Sequence, residues 1–169
     1  MQGQNFLSPV EFQFTILRMP TVQYYVQSVN IPAISSGYTE QQTPFKITYR
    51  HGDKLTYDDL FLTIAVDENM KGYLETWAWL KALTKPEEFA QYANLLDGDG
   101  LYSDATLTIL NSNKNPNIII KFADMFPVSV GAITMSTNQQ DVPVVTCDLT
   151  FKYNKYDIIS PDYPTVSAT

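Results

Sequence analysis

Residues Val144 to Tyr153 place Val145, Cys147, Leu149, Phe151 and Tyr153 at alternate positions, with Thr146, Asp148, Thr150 and Lys152 between them. Successive side chains of an extended strand point to opposite faces, so this pattern gives one apolar face and one wet face. The same period of two recurs in Val10–Arg18 (Val10, Phe12, Phe14, Ile16), Val22–Val29 (Val22, Tyr24, Val26) and Pro44–Arg50 (Phe45, Ile47, Tyr49). It appears again in Asp59–Asp67 (Leu60, Leu62, Ile64, Val66) and Asp104–Leu110 (Ala105, Leu107, Ile109), and Asn117–Ala123 and Val128–Met135 complete the set. Strands buried on both faces of a parallel sheet read as continuous apolar runs; strands that alternate belong to antiparallel sheets with one solvated face.

Turn residues punctuate these strands. Pro20 and Asn30-Ile31-Pro32 end the first two, Ser35–Thr43 reads as a loop or hairpin tip, Gly52-Asp53 as a turn, and Asn111–Asn117 as a turn cluster. Between Met70 and Leu83 the apolar residues instead fall at Met70, Tyr73, Leu74, Trp77, Leu80 and Leu83, a helical spacing with Asn69 as N-cap. Tyr73, Leu74, Trp77 and Leu80 are expected to pack this helix on the sheets. Pro86 opens a second short helix, Glu87–Leu96, closed by Asp97-Gly98-Asp99-Gly100. The expected fold is therefore mainly β: an antiparallel sandwich or small barrel of about eight strands, with one or two helices inserted mid-chain and packed outside. The 169 residues make one domain, 1–169, with a core at 10–156 and an extended tail at 157–169.

Little here suits catalysis. His51 is the single histidine, beside Gly52, and no Ser-His-Asp or Cys-His constellation can be assembled around it. The single cysteine, Cys147, lies on the apolar face with Val145 and Leu149, which describes an inert buried thiol. Asp97-Gly98-Asp99-Gly100 lacks the terminal Glu of a calcium loop, and Asp67-Glu68 is accounted for as charge at a helix N-terminus. No glycine-rich loop feeds a helix. The net charge of −7 opposes phosphate gripping, and Tyr24-Tyr25, Tyr73, Trp77 and Trp79 lack the interleaved basic residues of a base-stacking surface. No enzyme, cofactor or metal site is expected. Met1–Pro9 lacks the pattern of a signal peptide and no apolar run is of spanning length, so a soluble protein of a reducing compartment is expected, without a membrane partner. Charged residues are only 17% of the chain, yet it holds 11 Tyr and 9 Phe, a balance that favours a surface largely covered by copies of itself.

The segment Gly52-Asp53-Lys54-Leu55-Thr56-Tyr57-Asp58-Asp59-Leu60-Phe61-Leu62-Thr63-Ile64, followed by Asp67-Glu68 and a helix bearing Trp77 and Trp79, resembles the tail tube proteins of contractile-tailed bacteriophages. Met125-Phe126-Pro127-Val128-Ser129-Val130-Gly131 is similar to that family's aromatic-Pro-x-x-Val-Gly element, and Val29-Asn30-Ile31-Pro32 to the exit from its first hairpin. The resemblance spans Val10 to Tyr156; it departs at Thr84–Leu101 and after Tyr156. It implies hexameric rings whose strands join edge to edge into an inner barrel. The rings stack into a tube inside a contractile sheath, with DNA and the tape-measure protein passing through without specific binding. Implied partners are other copies, the sheath protein, and baseplate and terminator proteins. The implied location is the virion, after synthesis in the host bacterial cytoplasm. A hairpin near Ser36–Arg50, with Phe45, Ile47 and Tyr49, would be an arm reaching the adjacent ring, and Thr146, Asp148 and Thr150 would face the lumen. Alternatives of the same fold are a tube initiator or baseplate ring, a terminator ring, and the tube of a related injection or type VI secretion machine. A monomeric β-sandwich binding module is the rival of another class.

Overall fold

The computed structural model describes residues 6–84, 100–137 and 144–161. Among them run nine strands and one α-helix: β1 (Phe12–Ile16), β2 (Val26–Val29), β3 (Ile34–Gln42), β4 (Ile47–Tyr57), β5 (Leu60–Ala65), α1 (Lys71–Thr84), β6 (Ser103–Leu110), β7 (Pro116–Val130), β8 (Thr146–Lys152) and β9 (Lys155–Ile159). Every pairing is antiparallel. Seven strands form one sheet, with β1-β6-β7-β8-β5-β2 in order and β9 also against β7, while β3 and β4 pair only with each other.

β7 is the spine. Its first half pairs with β6 and β9, and its second half with β8. At Asp124 the backbone takes φ 55°, and the β6–β7 register shifts between Ser103 and Ala105. An extra residue in one strand bends it and raises its twist. Asn154, between β8 and β9, locks that corner: its backbone N–H donates to the Ala123 carbonyl and its side-chain amide to Asp124 Oδ2. The bent sheet closes over Phe14, Leu107 and Phe122 from one side and Leu62, Leu149 and Phe151 from the other, all buried. Its end strands, β1 and β2, do not meet, so the sheet stays open.

Several boundaries differ from the sequence reading. Val22–Tyr24 is a 3₁₀ turn, not strand: after Pro20, i to i+3 hydrogen bonds such as Tyr25 N–H to the Val22 carbonyl coil the chain and bury Val22. The expected loop Ser35–Thr43 is mostly β3, and β4 runs straight through the expected turn at Gly52-Asp53, so His51 sits in a strand. The separate strands expected at Asn117–Ala123 and Val128–Met135 are one 15-residue strand, ending at Val130. Asp157–Ile159, expected to begin a tail, complete β9 because Asp157 and Ile159 find partners in Lys121 and Ile119. The second helix, at Glu87–Leu96, and the end of the tail lie outside the described residues.

The helix also sits differently. Its cap is Asp67, whose Oδ1 accepts from Lys71 N–H at 2.8 Å, rather than Asn69. Its buried residues are Gly72, Thr76 and Trp79. A Cβ on Gly72 would stand 3.2 Å from Ile64 Cδ1, so the missing side chain lets the helix approach the sheet. Thr76 donates to the Gly72 carbonyl at 2.8 Å, and Trp79 Nε1 donates to the Leu101 carbonyl at 3.2 Å. Of the four residues expected to pack the helix, Tyr73 and Leu80 are half-buried while Leu74 and Trp77 are exposed. The deepest part of the contact face is Gly72, Thr76 and Trp79, flanked by the half-buried Tyr73, Ala82 and Leu83 that also pack on the core; apolar spacing does not reveal the glycine and threonine.

Candidate assembly interfaces

β3 and β4 make a two-stranded ribbon joined by a turn at 43–46. Pairing of Gln42 with Ile47, Glu40 with Tyr49, Tyr38 with His51, Ser36 with Leu55 and Ile34 with Tyr57 puts these side chains on one face. The other face carries Ser35, Thr39, Gln41, Thr48, Arg50 and Thr56. The ribbon is thus amphipathic, yet Ile34, Tyr38, Ile47, Tyr49 and Leu55 are all exposed. Tyr38 and Tyr49 pack edge to face, with centroids 5.6 Å apart. Phe45 lies in the turn rather than on the strand face, and is 98% exposed. A lone two-stranded hairpin is marginal in water, and five exposed large apolar side chains on one face, interspersed with Ser36, Glu40, Gln42 and His51, lack a covering surface.

Mid-ribbon, β4 carries two more residues than β3 between the pairs Ser36–Leu55 and Tyr38–His51. Gly52 falls there, where a Cβ would be 2.5 Å from the Gly37 carbonyl oxygen. The glycine that looked like a turn is the residue that lets two strands close across a bulge.

The sheet ends offer a second kind of surface. β1 pairs with β6 and β2 with β5, and neither has a second strand neighbour among the described residues. Such edges are templates for pairing with another chain. Between them opens an apolar cleft of about 360 Å³, bordered by Phe12, Val29, Ile31, Leu107 and Ile109.

Thr146, Asp148 and Thr150 stand on the face of β8 turned away from the core; Thr146 and Asp148 are exposed and Thr150 half-buried. Asp148 is paired with Thr63 of β5, whose hydroxyl donates to Asp148 Oδ1 at 2.8 Å. Lys152 pairs with Asp59 at the end of the same face. Cys147 faces inward, where burial raises its thiol pKa above the ordinary value, and its S–H donates to the Gly131 carbonyl at 3.4 Å. A Cβ on Gly131 would sit 2.8 Å from the Asp148 carbonyl oxygen, which gives the glycine of the Pro127-to-Gly131 element a physical reason. In the groove at Leu17, Arg18, Tyr102, Ser103, Asp104 and Asp124, the Ser103 hydroxyl accepts from Arg18 N–H and donates to the Asp104 backbone carbonyl. Among the described residues no cluster of His, Cys, Asp and Glu has the makings of a metal site, and no helix is long and apolar enough to cross a membrane.

The structure thus places Ile47 and Tyr49 together on the ribbon, Phe45 at its tip, and the three β8 residues on a separate polar face. Sequence reasoning missed Ile34, Tyr38 and Leu55, which complete the ribbon's apolar face. The spacing of Ile34 and Tyr38 was a signal, drowned by the serines and glycine between and beside them.

A family model described as "Phage tail tube protein" matches residues 10–159. No curated protein matches the chain. Among solved structures the chain is similar to the anti-feeding prophage cap, a tube-terminating cap, at 13% identity and a TM-score of 0.71 over 95% of both chains. It is similar to a chain of the sheath–tube complex of an extracellular contractile injection system, PVC, in its extended state, at 12% identity and a TM-score of 0.62 over 93% of both chains. The sheath/tube terminator of that system gives 12% identity and a TM-score of 0.61, over 93% of this chain and 99% of the other. At these identities the likeness establishes a shared fold.

Proposed function

As the chain belongs to the phage tail tube protein family, we propose that it forms hexameric rings that stack into the inner tube of a contractile tail. Its role there is structural rather than catalytic. Its copies meet laterally through the free edges of β1 and β2 and axially through the β3–β4 arm. The observation that carries this is the arm: a ribbon whose one face exposes Ile34, Tyr38, Ile47, Tyr49 and Leu55, none of which belongs to the core cluster. Ring closure satisfies the edge groups of every copy with those of its neighbour, which an open sheet cannot do alone.

Thr146, Asp148 and Thr150 face the channel in this arrangement. A wall of hydroxyls and carboxylates repels phosphates, so DNA and the tape-measure protein pass without sticking. Sheath protein surrounds the tube, and baseplate and terminator proteins bound its ends. The likeness to a tube-terminating cap supports a second reading, a terminal ring of the same fold.

Negative-stain microscopy with sedimentation analysis of the purified protein tests both. Tubes, or stacked rings that lengthen with concentration, are expected. Single rings that never stack select the terminal position. A monomer that persists at millimolar concentration refutes the proposal.

A further inference from the structure

The two ends of the arm are fastened to the body by tyrosines from a distant part of the chain. Tyr153, between β8 and β9, donates its hydroxyl to the Asp58 carbonyl at 2.9 Å, just beyond the end of β4. Tyr156, in β9, donates to the Pro32 carbonyl at 3.0 Å, two residues before β3 begins. Tyr57, the last residue of β4, packs its ring against both, with centroids 5.8 Å from Tyr153 and 5.6 Å from Tyr156. Phe122 of β7 seats the group from below, 5.1 Å from Tyr153 and 5.6 Å from Tyr156. The backbone also joins the two roots to each other, through the Asp58 N–H to the Ala33 carbonyl and the pairing of Ile34 with Tyr57.

We infer that Tyr153 and Tyr156 are positioning residues that hold the arm in one direction relative to the body, so that its apolar face is presented ready to stack on another copy. Asn30 ties the base of the arm, donating to the Asp59 carbonyl at 3.1 Å and accepting from Phe61 N–H at 2.6 Å; the two hydroxyls act nearer the ribbon, each holding one root against the swing that the base alone permits. The aromatic contacts place the rings; the hydroxyls, by reaching specific carbonyls, fix the angle. Pre-setting a binding element in its bound direction removes the ordering cost that a loose arm carries into each contact. β9 therefore has a purpose beyond closing the sheet: it brings Tyr156 to the arm.

This inference rests on the stacking role proposed above, and the experiment separates the two. Spin labels on Lys46→Cys at the arm tip and Asn113→Cys on the body report arm direction by distance distribution, measured below the assembly concentration. A chain without the two added cysteines controls for the buried Cys147. The parent gives one narrow distance. Y153F/Y156F keeps both rings, and its distribution broadens while melting remains cooperative; an unchanged narrow distribution overturns the inference. For the unlabelled chain, the concentration needed for stacking rises about tenfold or more in the double variant, the factor that roughly one lost hydrogen bond's worth of order produces. Equal stacking despite a broadened distribution overturns the link to assembly. Should the double variant not fold, Y156F alone carries the same comparison, since Tyr156 is the less buried ring. If the parent itself never assembles, the proposed function fails while the distances still decide whether the tyrosines set the arm.

Discussion

Replacing Phe45, Ile47 and Tyr49 together by serine separates assembly from folding. None of the three belongs to the core cluster or to the half-buried residues packed against it. Phe45 is 98% exposed, Ile47 49% and Tyr49 62%. Full burial of a large apolar side chain stabilises by roughly 1.5–3 kcal/mol, so covering one nearly bare ring and two half-bare side chains is worth about 3–6 kcal/mol per arm. Each 1.4 kcal/mol is about tenfold in an equilibrium constant, so the triple variant raises the concentration for stacking by roughly 10²–10⁴. Lateral ring contacts, which use other strands, persist. Sedimentation and light scattering across a concentration series measure the assembly shift, and circular dichroism melting measures the fold. A triple variant that unfolds refutes the reasoning by showing that the ribbon face is intramolecular core. Tubes growing at the parent concentration refute it from the other side.

Gly52→Ala pushes a Cβ to within 2.5 Å of the Gly37 carbonyl; a backbone shift costing roughly 1–3 kcal/mol is expected, confined to the arm. Hydrogen exchange should quicken at β3 and β4 amides while those of β7 keep their protection. Alkali provides a third check. Burial, with Tyr156, Asp58, Tyr57 and Asp59 nearby, raises the Tyr153 phenol above its ordinary value, and burial beside Tyr57 raises that of Tyr156. The stability these groups contribute is complete below the unfolded phenol pKa of about 10 and is lost as pH climbs through their folded values, because the unfolded chain gives up its protons first. The fall in unfolding free energy above about pH 10 should therefore be shallower in Y153F/Y156F than in the parent, and equal slopes would discard it. Asp148→Lys removes the acceptor of Thr63 and reverses a charge on the β8 face. Rings should still form while DNA transit slows at low salt; unaltered ejection rates would remove Asp148 from the channel wall.

What the residues fixed unaided was the class of fold and which face of most strands is dry. Val145 apart, the alternate apolar residues of Val144–Tyr153 are buried as their spacing requires, and so are Phe14, Ile16, Leu60, Leu62 and Ile64. Period two is a local property, set by the backbone geometry of a single strand. The arm's extent was not legible, because Ser35–Thr43 is too polar to signal a strand and Gly52 imitates a turn when read without its neighbour Gly37. The helix face was misread for a related reason: Gly72 and Thr76 are buried by virtue of how closely the helix approaches β5, a distance that no sequence window contains.

Tertiary structure alone decided which polar and aromatic groups meet. Tyr153 lies 95 residues from Asp58 and Tyr156 lies 124 from Pro32, and only the corner at Asp124 and Asn154 brings β9 to the roots of the arm. It also decided that β1 and β2 end as separate open edges. Local pattern specifies the faces of strands; their order, and hence their free edges, follows from long-range pairing that a period of two leaves undetermined.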